Sequence, residues 1–266
     1  MNGSDQTLSS ELANLGFRLS GFREWPLDKA LKTLSTIGYK SVELCLEHPD
    51  LDPEKLNAKK ITKIKESLDE NGLRISSVSY HGKRDSVPDL FEKQKRGIEI
   101  ALEMGIRILV VGTASSENDP DGNHTFRALE ELLIAAEEAG IMLVAEPEPD
   151  TVLNGMYEFS LLASRMAGSS LGLNLDVGHA SLTEGDVCAV IEEWAPFILH
   201  THIYDIRRPK HVHLLPGEGH LDLPDLIRTL REYNYNGDLT LDLFDIADAP
   251  DEWAKKAMEK CREIFV

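Results

Sequence analysis

From residue 16 onward, short apolar runs alternate with longer stretches in which apolar residues recur every three to four positions. The short runs fall at 16–20, 41–45, 74–80, 106–111, 141–145, 171–175, 198–203 and 238–243. They are apolar along their length, as parallel strands covered by helices are. The longer stretches fall at 26–37, 53–70, 89–104, 125–139, 157–166, 186–194, 223–233 and 252–264, and their spacing predicts helices. Leu27, Ala30, Leu31, Leu34 and Ile37 show it in the first of them. Gly38, Gly72, Gly105 and Gly140 stand where four of the helices stop, as left-handed caps do. Eight strands alternating with eight helices predict an α/β fold, a (β/α)₈ TIM barrel in one domain over 1–266. Residues 1–14 read as a ragged leader with one short helical turn. A doubly wound sheet is the structural alternative, but no GxGxxG follows the first strand, which disfavours a dinucleotide domain.

Composition narrows the partners. The chain has 266 residues, 42% of them hydrophobic, enough for one sizeable core. Its formal net charge of −18 lacks the basic footprint of a nucleic-acid binder. The three cysteines, Cys45, Cys188 and Cys261, are far apart and form no CxxC, which reads as free thiols in a reducing compartment. No basic and apolar signal segment opens the sequence, and no run of about 18 apolar residues could cross a membrane. A cytoplasmic protein without a membrane partner is expected.

Four strand ends carry side chains that bind metals. They are Val-Ala-Glu146, Leu-Asp176-Val-Gly-His179, His200-Thr-His202-Ile-Tyr-Asp205 and Leu-Thr-Leu-Asp242. A single carboxylate after a strand is often a helix N-cap or a solvated charge. Four on strands five to eight, neighbours in a barrel wall, can converge on one ion at the C-terminal mouth. Oxygen ligands with one imidazole suit Mn²⁺, Mg²⁺ or Co²⁺, and Zn²⁺ is also compatible. Glu148 competes with Glu146 for the ligand role, and Pro147 and Pro149 mark the departure from the strand that favours Glu146. His211 and His213 follow Arg207, Arg208 and Lys210 in a stretch that reads as a solvated loop or a substrate lid. The Gly217-Glu-Gly219 turn could present N–H groups to a phosphate.

These phrases, with Pro216-Gly-Glu-Gly219-His-Leu-Asp222 and Gly38-Tyr-Lys-Ser-Val-Glu43-Leu, resemble the xylose isomerase-like family of sugar isomerases and epimerases, which includes inosose dehydratases and endonuclease IV. The resemblance runs from about residue 15 to the end. It implies that Glu146, Asp176, His202 and Asp242 hold one divalent ion, and that His179 and Arg208 contact a small carbohydrate-like substrate. It implies that Glu43 and His81 line the pocket. The family commonly has Glu where Asp242 stands, and an acidic or polar residue where His220 stands. Barrels of this kind often pair through their outer helices, so a homo-oligomer is admitted by analogy.

The chemistry expected is proton transfer next to a carbonyl through an enediolate, with Glu146 and Asp242 as the acid–base pair. Return of the proton to the same carbon is epimerisation, return to its neighbour is isomerisation, and loss of a β-hydroxyl is dehydration. A keto-glycoside lyase would use the same groups. A DNA-repair endonuclease is disfavoured by the charge. A non-catalytic sugar-binding protein is the alternative of another class.

Overall fold

A computed structural model describes residues 11–244 and 248–265. Eight parallel strands close into a barrel: β1 (Leu15–Arg18), β2 (Ser41–Cys45), β3 (Arg74–Tyr80), β4 (Ile108–Val111), β5 (Met142–Ala145), β6 (Gly172–Asp176), β7 (Ile198–Ile203) and, after the hairpin described below, β10 (Leu239–Leu241). β1 pairs with both β2 and β10, and β10 pairs with β7, so no edge is left in the wall. The intervening helices are α1 (Leu27–Ile37), α2 (Ala58–Glu70), α3 (Val87–Met104), α4 (Asn123–Ala139), α5 (Met156–Arg165), α6 (Val177–Thr183), α7 (Val187–Trp194), α8 (Leu223–Glu232) and α9 (Pro250–Ile264). The eight-stranded TIM barrel read from the sequence is the fold.

Burial explains the pattern. Leu27, Ala30, Leu31 and Leu34 of α1 face the sheet, and Gly38 turns the chain at φ 114° while its N–H bonds the carbonyl of Leu34. Phe17 of β1 meets Phe22 and Tyr39 edge-on, with ring centroids 5.6 and 5.1 Å apart. Such pairs add about 0.5–1.5 kcal/mol each beyond area burial. No helix among the described residues is long and apolar enough to cross a membrane.

Four local expectations are corrected. Residues 1–10 of the expected leader lie outside the described residues, but the rest of it is not ragged. Glu11 is buried and its Oε1 accepts from Nε of Arg231 in α8 at 2.9 Å, while Leu12–Asn14 forms the short helical turn that was expected, a 3₁₀ turn leading into β1. The second helix starts at Ala58 rather than 53, because the Asn57 side chain caps it by accepting from the N–H of Lys60. α6 was not expected: the Asp176 side chain accepts from the N–H of His179 and nucleates a short helix directly at the strand end. The stretch from Arg207 to His213, read as a solvated loop or a substrate lid, lies in an antiparallel hairpin, β8 (Asp205–Arg207) and β9 (Lys210–Leu214).

Parallel strands all end on one face, and register decides which residues meet there. Asp176 aligns with His202 across β6 and β7, and Thr240 aligns with His202 across β10 and β7. The mouth is therefore built around His202.

Candidate metal centre

His202 has no exposed side-chain surface. Its Nδ1 lies 3.2 Å from Oε2 of Glu146, 3.8 Å from Oδ2 of Asp176 and 4.0 Å from Oδ2 of Asp242. The four residues chosen from the strand ends thus meet around one ring nitrogen. Its other nitrogen, Nε2, lies 3.0 Å from Oε2 of Glu43. A carboxylate in that position takes the Nε2–H and turns Nδ1 toward the three carboxylates, where it carries a proton or, with an ion bound, would offer its lone pair.

Below this layer the barrel interior is polar and connected. The amide of Asn174 donates to Oε2 of Glu146 at 2.5 Å and lies 3.0 Å from Nδ1 of His202. Its carbonyl oxygen lies 2.9 Å from Nδ1 of His200. Ser77 donates to Glu43 and lies 2.9 Å from Nε2 of His200. Every member of this network fixes another, so the ligand geometry does not rest on mobile loops.

The donor set fits a divalent cation. Oδ2 of Asp176 is buried and has no hydrogen-bond partner among the described residues. Its other oxygen takes the N–H of His179 at 2.8 Å. Burial and the negative charge of Glu146 push the Asp176 carboxyl up to about 6. His202 and His213 pull the other way without prevailing, and a bound cation would add the positive charge that favours the ionised form. Burial opposes ionisation of Glu146 as well, but His81 and His202 beside it hold it well below the usual carboxylate range. His202 is itself raised well above the usual imidazole value, because Glu43 and Glu146 outweigh its burial.

Asp242 stands differently. Its Oδ2 accepts from Nη1 of Arg18 at 2.9 Å and its Oδ1 accepts from the Ser20 hydroxyl at 2.9 Å. Burial works against its charge, but Arg18, His213 and His202 prevail and bring it down to about 2. Like Glu146, Asp242 is held ionised, and both of its oxygens are engaged. Arg18 itself was missed from the sequence. It closes a strand that read only as apolar, yet it donates to Glu43 through Nε at 2.9 Å and from Nη2 to Nδ1 of His81 at 2.7 Å.

The remaining candidates divide. His81 faces Glu146 directly, with Nε2 2.8 Å from Oε2. His179 lies in the mouth with Nδ1 3.1 Å from the carbonyl of Pro147, and its Nε2 is 3.1 Å from Nε2 of His211. Glu43, expected on the pocket wall, is instead buried beneath the site with Arg18, Ser77 and His202 around it. Arg208 is exposed on the hairpin, where its Nε lies 3.1 Å from Nε2 of His220 and its Nη1 donates to the carbonyl of Ser181. That contact gives His220 a part in holding the hairpin. Glu148 is taken by Lys83, with Nζ at 2.9 Å from Oε1, which leaves Glu146 to the cluster. The phosphate role weighed for the Gly217–Gly219 turn is corrected. The N–H groups of Gly217, Gly219 and Leu221 all donate to the buried carboxylate of Asp205. They are spent inside the protein.

Comparison with known proteins agrees with this architecture. The family described as "Xylose isomerase-like TIM barrel" matches residues 31–264. An inosose dehydratase of Clostridium beijerinckii is 25% identical over 91% of this chain and 90% of its own. A fructoselysine 3-epimerase of Shigella flexneri is 24% identical over 94% of this chain and 97% of its own. Among solved structures, the IolI protein with a bound zinc atom superposes with a TM-score of 0.73 at 16% identity, covering 93% of this chain and 96% of that one.

Proposed function

The chain belongs to the xylose isomerase-like TIM barrel family, and from that premise we propose that it is a divalent-metal-dependent enzyme that moves a proton next to a carbonyl of a small carbohydrate. The observation that carries this reading is the convergence of Glu146, Asp176 and Asp242 on Nδ1 of His202, with Oδ2 of Asp176 left without a partner. The two relatives named above are an epimerase and a dehydratase, and they support a carbohydrate enzyme over a non-catalytic sugar-binding protein.

Glu146, Asp176 and His202 would hold the ion, with Asp242 beside them. Three oxygens and one imidazole nitrogen suit Mn²⁺, Mg²⁺ or Co²⁺, and the zinc of the structural neighbour keeps Zn²⁺ in the set. When bound, the ion supplies a Lewis acid that polarises a carbonyl and acidifies the adjacent C–H.

The protein's own groups do the proton transfer. Oε2 of Glu146 is engaged by His81 and Asn174, whereas Oε1 has Nδ1 of His179 beside it at 3.4 Å. Oε1 is therefore the atom that takes the proton, and the contacts on Oε2 aim it. His179, its Nδ1 directed at Pro147, has Nε2 3.1 Å from His211, a contact that a substrate hydroxyl would replace. Arg208, on the hairpin at the rim, reaches only the distal end of a substrate.

One observation favours a lyase over an epimerase. Epimerisation needs a donor on the face opposite Glu146, and Asp242, the expected donor, has both oxygens engaged by Arg18 and Ser20. Dehydration next to a carbonyl needs one such group, because the proton that Glu146 takes from the α-carbon can be handed to the departing β-hydroxyl, which leaves as water. The test is to load the protein with Mn²⁺ or Co²⁺ and follow deuterium uptake from D₂O into D-fructose, D-psicose and an inosose. Exchange that disappears in Glu146→Gln supports the reading; a loaded protein that exchanges none of them and forms no dehydrated product from the inosose speaks for a binding protein.

A further inference from the structure

The two aspartates at the mouth are not equivalent. Asp176 keeps one buried oxygen without a partner, but both oxygens of Asp242 are occupied. The Asp242 oxygen nearest Nδ1 of His202, at 4.0 Å, is the same Oδ2 that takes Nη1 of Arg18 at 2.9 Å. Glu146 and Asp176 lie closer to that nitrogen, at 3.2 and 3.8 Å, and the Glu146 oxygen is engaged by an imidazole and an amide, His81 and Asn174, rather than by a guanidinium.

Arg18 cannot give way easily. Its side chain is 8% exposed, Nε is committed to Glu43, and Nη2 to His81. The guanidinium is a permanent, planar cation, and no pH at which the protein is folded removes its charge. A dication at the mouth would share Asp242 with a fixed positive charge one carboxylate away, and like charges repel. The shorter side chain matters here: an aspartate at the end of β10 reaches less far into the mouth than a glutamate would.

We propose that Arg18 is a positioning residue that claims Asp242, so that the ion is held chiefly by Glu146, Asp176 and His202 and keeps coordination room for substrate oxygens. The inference rests on the metal reading given above. It goes beyond that reading by assigning unequal weight to the ligands and a role to β1. Three protein ligands with open positions are the arrangement that catalytic rather than structural metal sites have.

The test is Co²⁺ binding, by titration and by the visible spectrum of the bound ion, in the full-length protein. Asp242→Asn in the wild-type background weakens Co²⁺ binding less than about tenfold and leaves the spectrum close to wild type. Asp176→Asn weakens it more than about a hundredfold. Arg18→Met tightens binding about tenfold or more, because it frees Asp242 and removes a repelling charge. In that background Asp242→Asn then costs at least ten times what it costs in wild type. This coupling is a readout that a merely structural role for Arg18 would not produce. Equal losses in Asp242→Asn and Asp176→Asn overturn the inference, and they do so even if Arg18→Met fails to fold, since both asparagine variants are isosteric. Weaker Co²⁺ binding in a folded Arg18→Met also overturns it. Wild-type protein that takes up no Co²⁺ overturns the metal reading and this inference together, an outcome distinct from the other two.

Discussion

Oε2 of Glu43 lies 3.0 Å from Nε2 of His202, across the barrel interior from β2 to β7, strands that do not pair in the sheet. Glu43 has no exposed surface, and it is held in turn by Arg18 and Ser77. The pair sets which nitrogen of His202 faces the carboxylates. Removing the charge at Glu43 is expected to weaken metal binding roughly 10–100-fold, as loss of such supporting carboxylates does. Competition between Glu43→Gln and a chromophoric chelator checks this. Affinity equal to wild type would show that Glu43 does not orient the ligand.

Glu146 is the proposed base. Glu146→Gln preserves shape and removes the proton acceptor, so the fold should survive and turnover should fall about 10²–10⁴-fold. Circular dichroism with a deuterium-exchange assay separates the two effects. Near-wild-type exchange in a folded variant would place the base elsewhere.

Much of the fold was legible because parallel strands and their covering helices have different periods. What escaped was decided by contacts distant in sequence. Arg18 looks like an ordinary strand residue until the closed barrel sets β1 between β2 and β10, beside Glu43 and Asp242. α6 is only seven residues long, too short for a helical repeat to show; its one local signal was Asp176 three residues before His179, a cap spacing that also fits a ligand phrase. The ligand candidates were visible because each closes an apolar run. Their unequal standing was not, because it depends on which neighbours donate to which oxygen.

The Gly217–Gly219 turn is an anchor. A Cβ at Gly219 would overlap Oδ1 of Asp205 and the carbonyl of Ile206. Gly219→Ala should therefore displace the turn from Asp205 and cost roughly 2 kcal/mol or more, the scale of a lost hydrogen bond to a buried charge. Thermal unfolding and faster proteolytic cleavage within 205–221 read the effect. An unchanged melting temperature and cleavage pattern would mean the Asp205 contacts contribute little.

His200 gives the protein an acid-side weakness. Burial lowers its pKa from 6.5 to about 4 against the pull of Glu43. The unfolded chain therefore binds the proton more readily than the folded one between those values. The stability this group contributes is full above pH 6.5 and is lost as the pH falls toward 4. In chelator-treated protein, urea unfolding from pH 7 to pH 4 should show a decline that is shallower in His200→Gln. Parallel declines in the two proteins would assign the acid sensitivity to other groups.

The most direct test of the account is the metal content of the purified protein, measured by elemental mass spectrometry after equilibration with Mn²⁺, Co²⁺ or Zn²⁺ and removal of free ion. One equivalent in wild type, lost in both Asp176→Ala and His202→Ala with the fold intact, is expected of a metal held at this mouth. No uptake in wild type, or the same uptake in both variants, would contradict it.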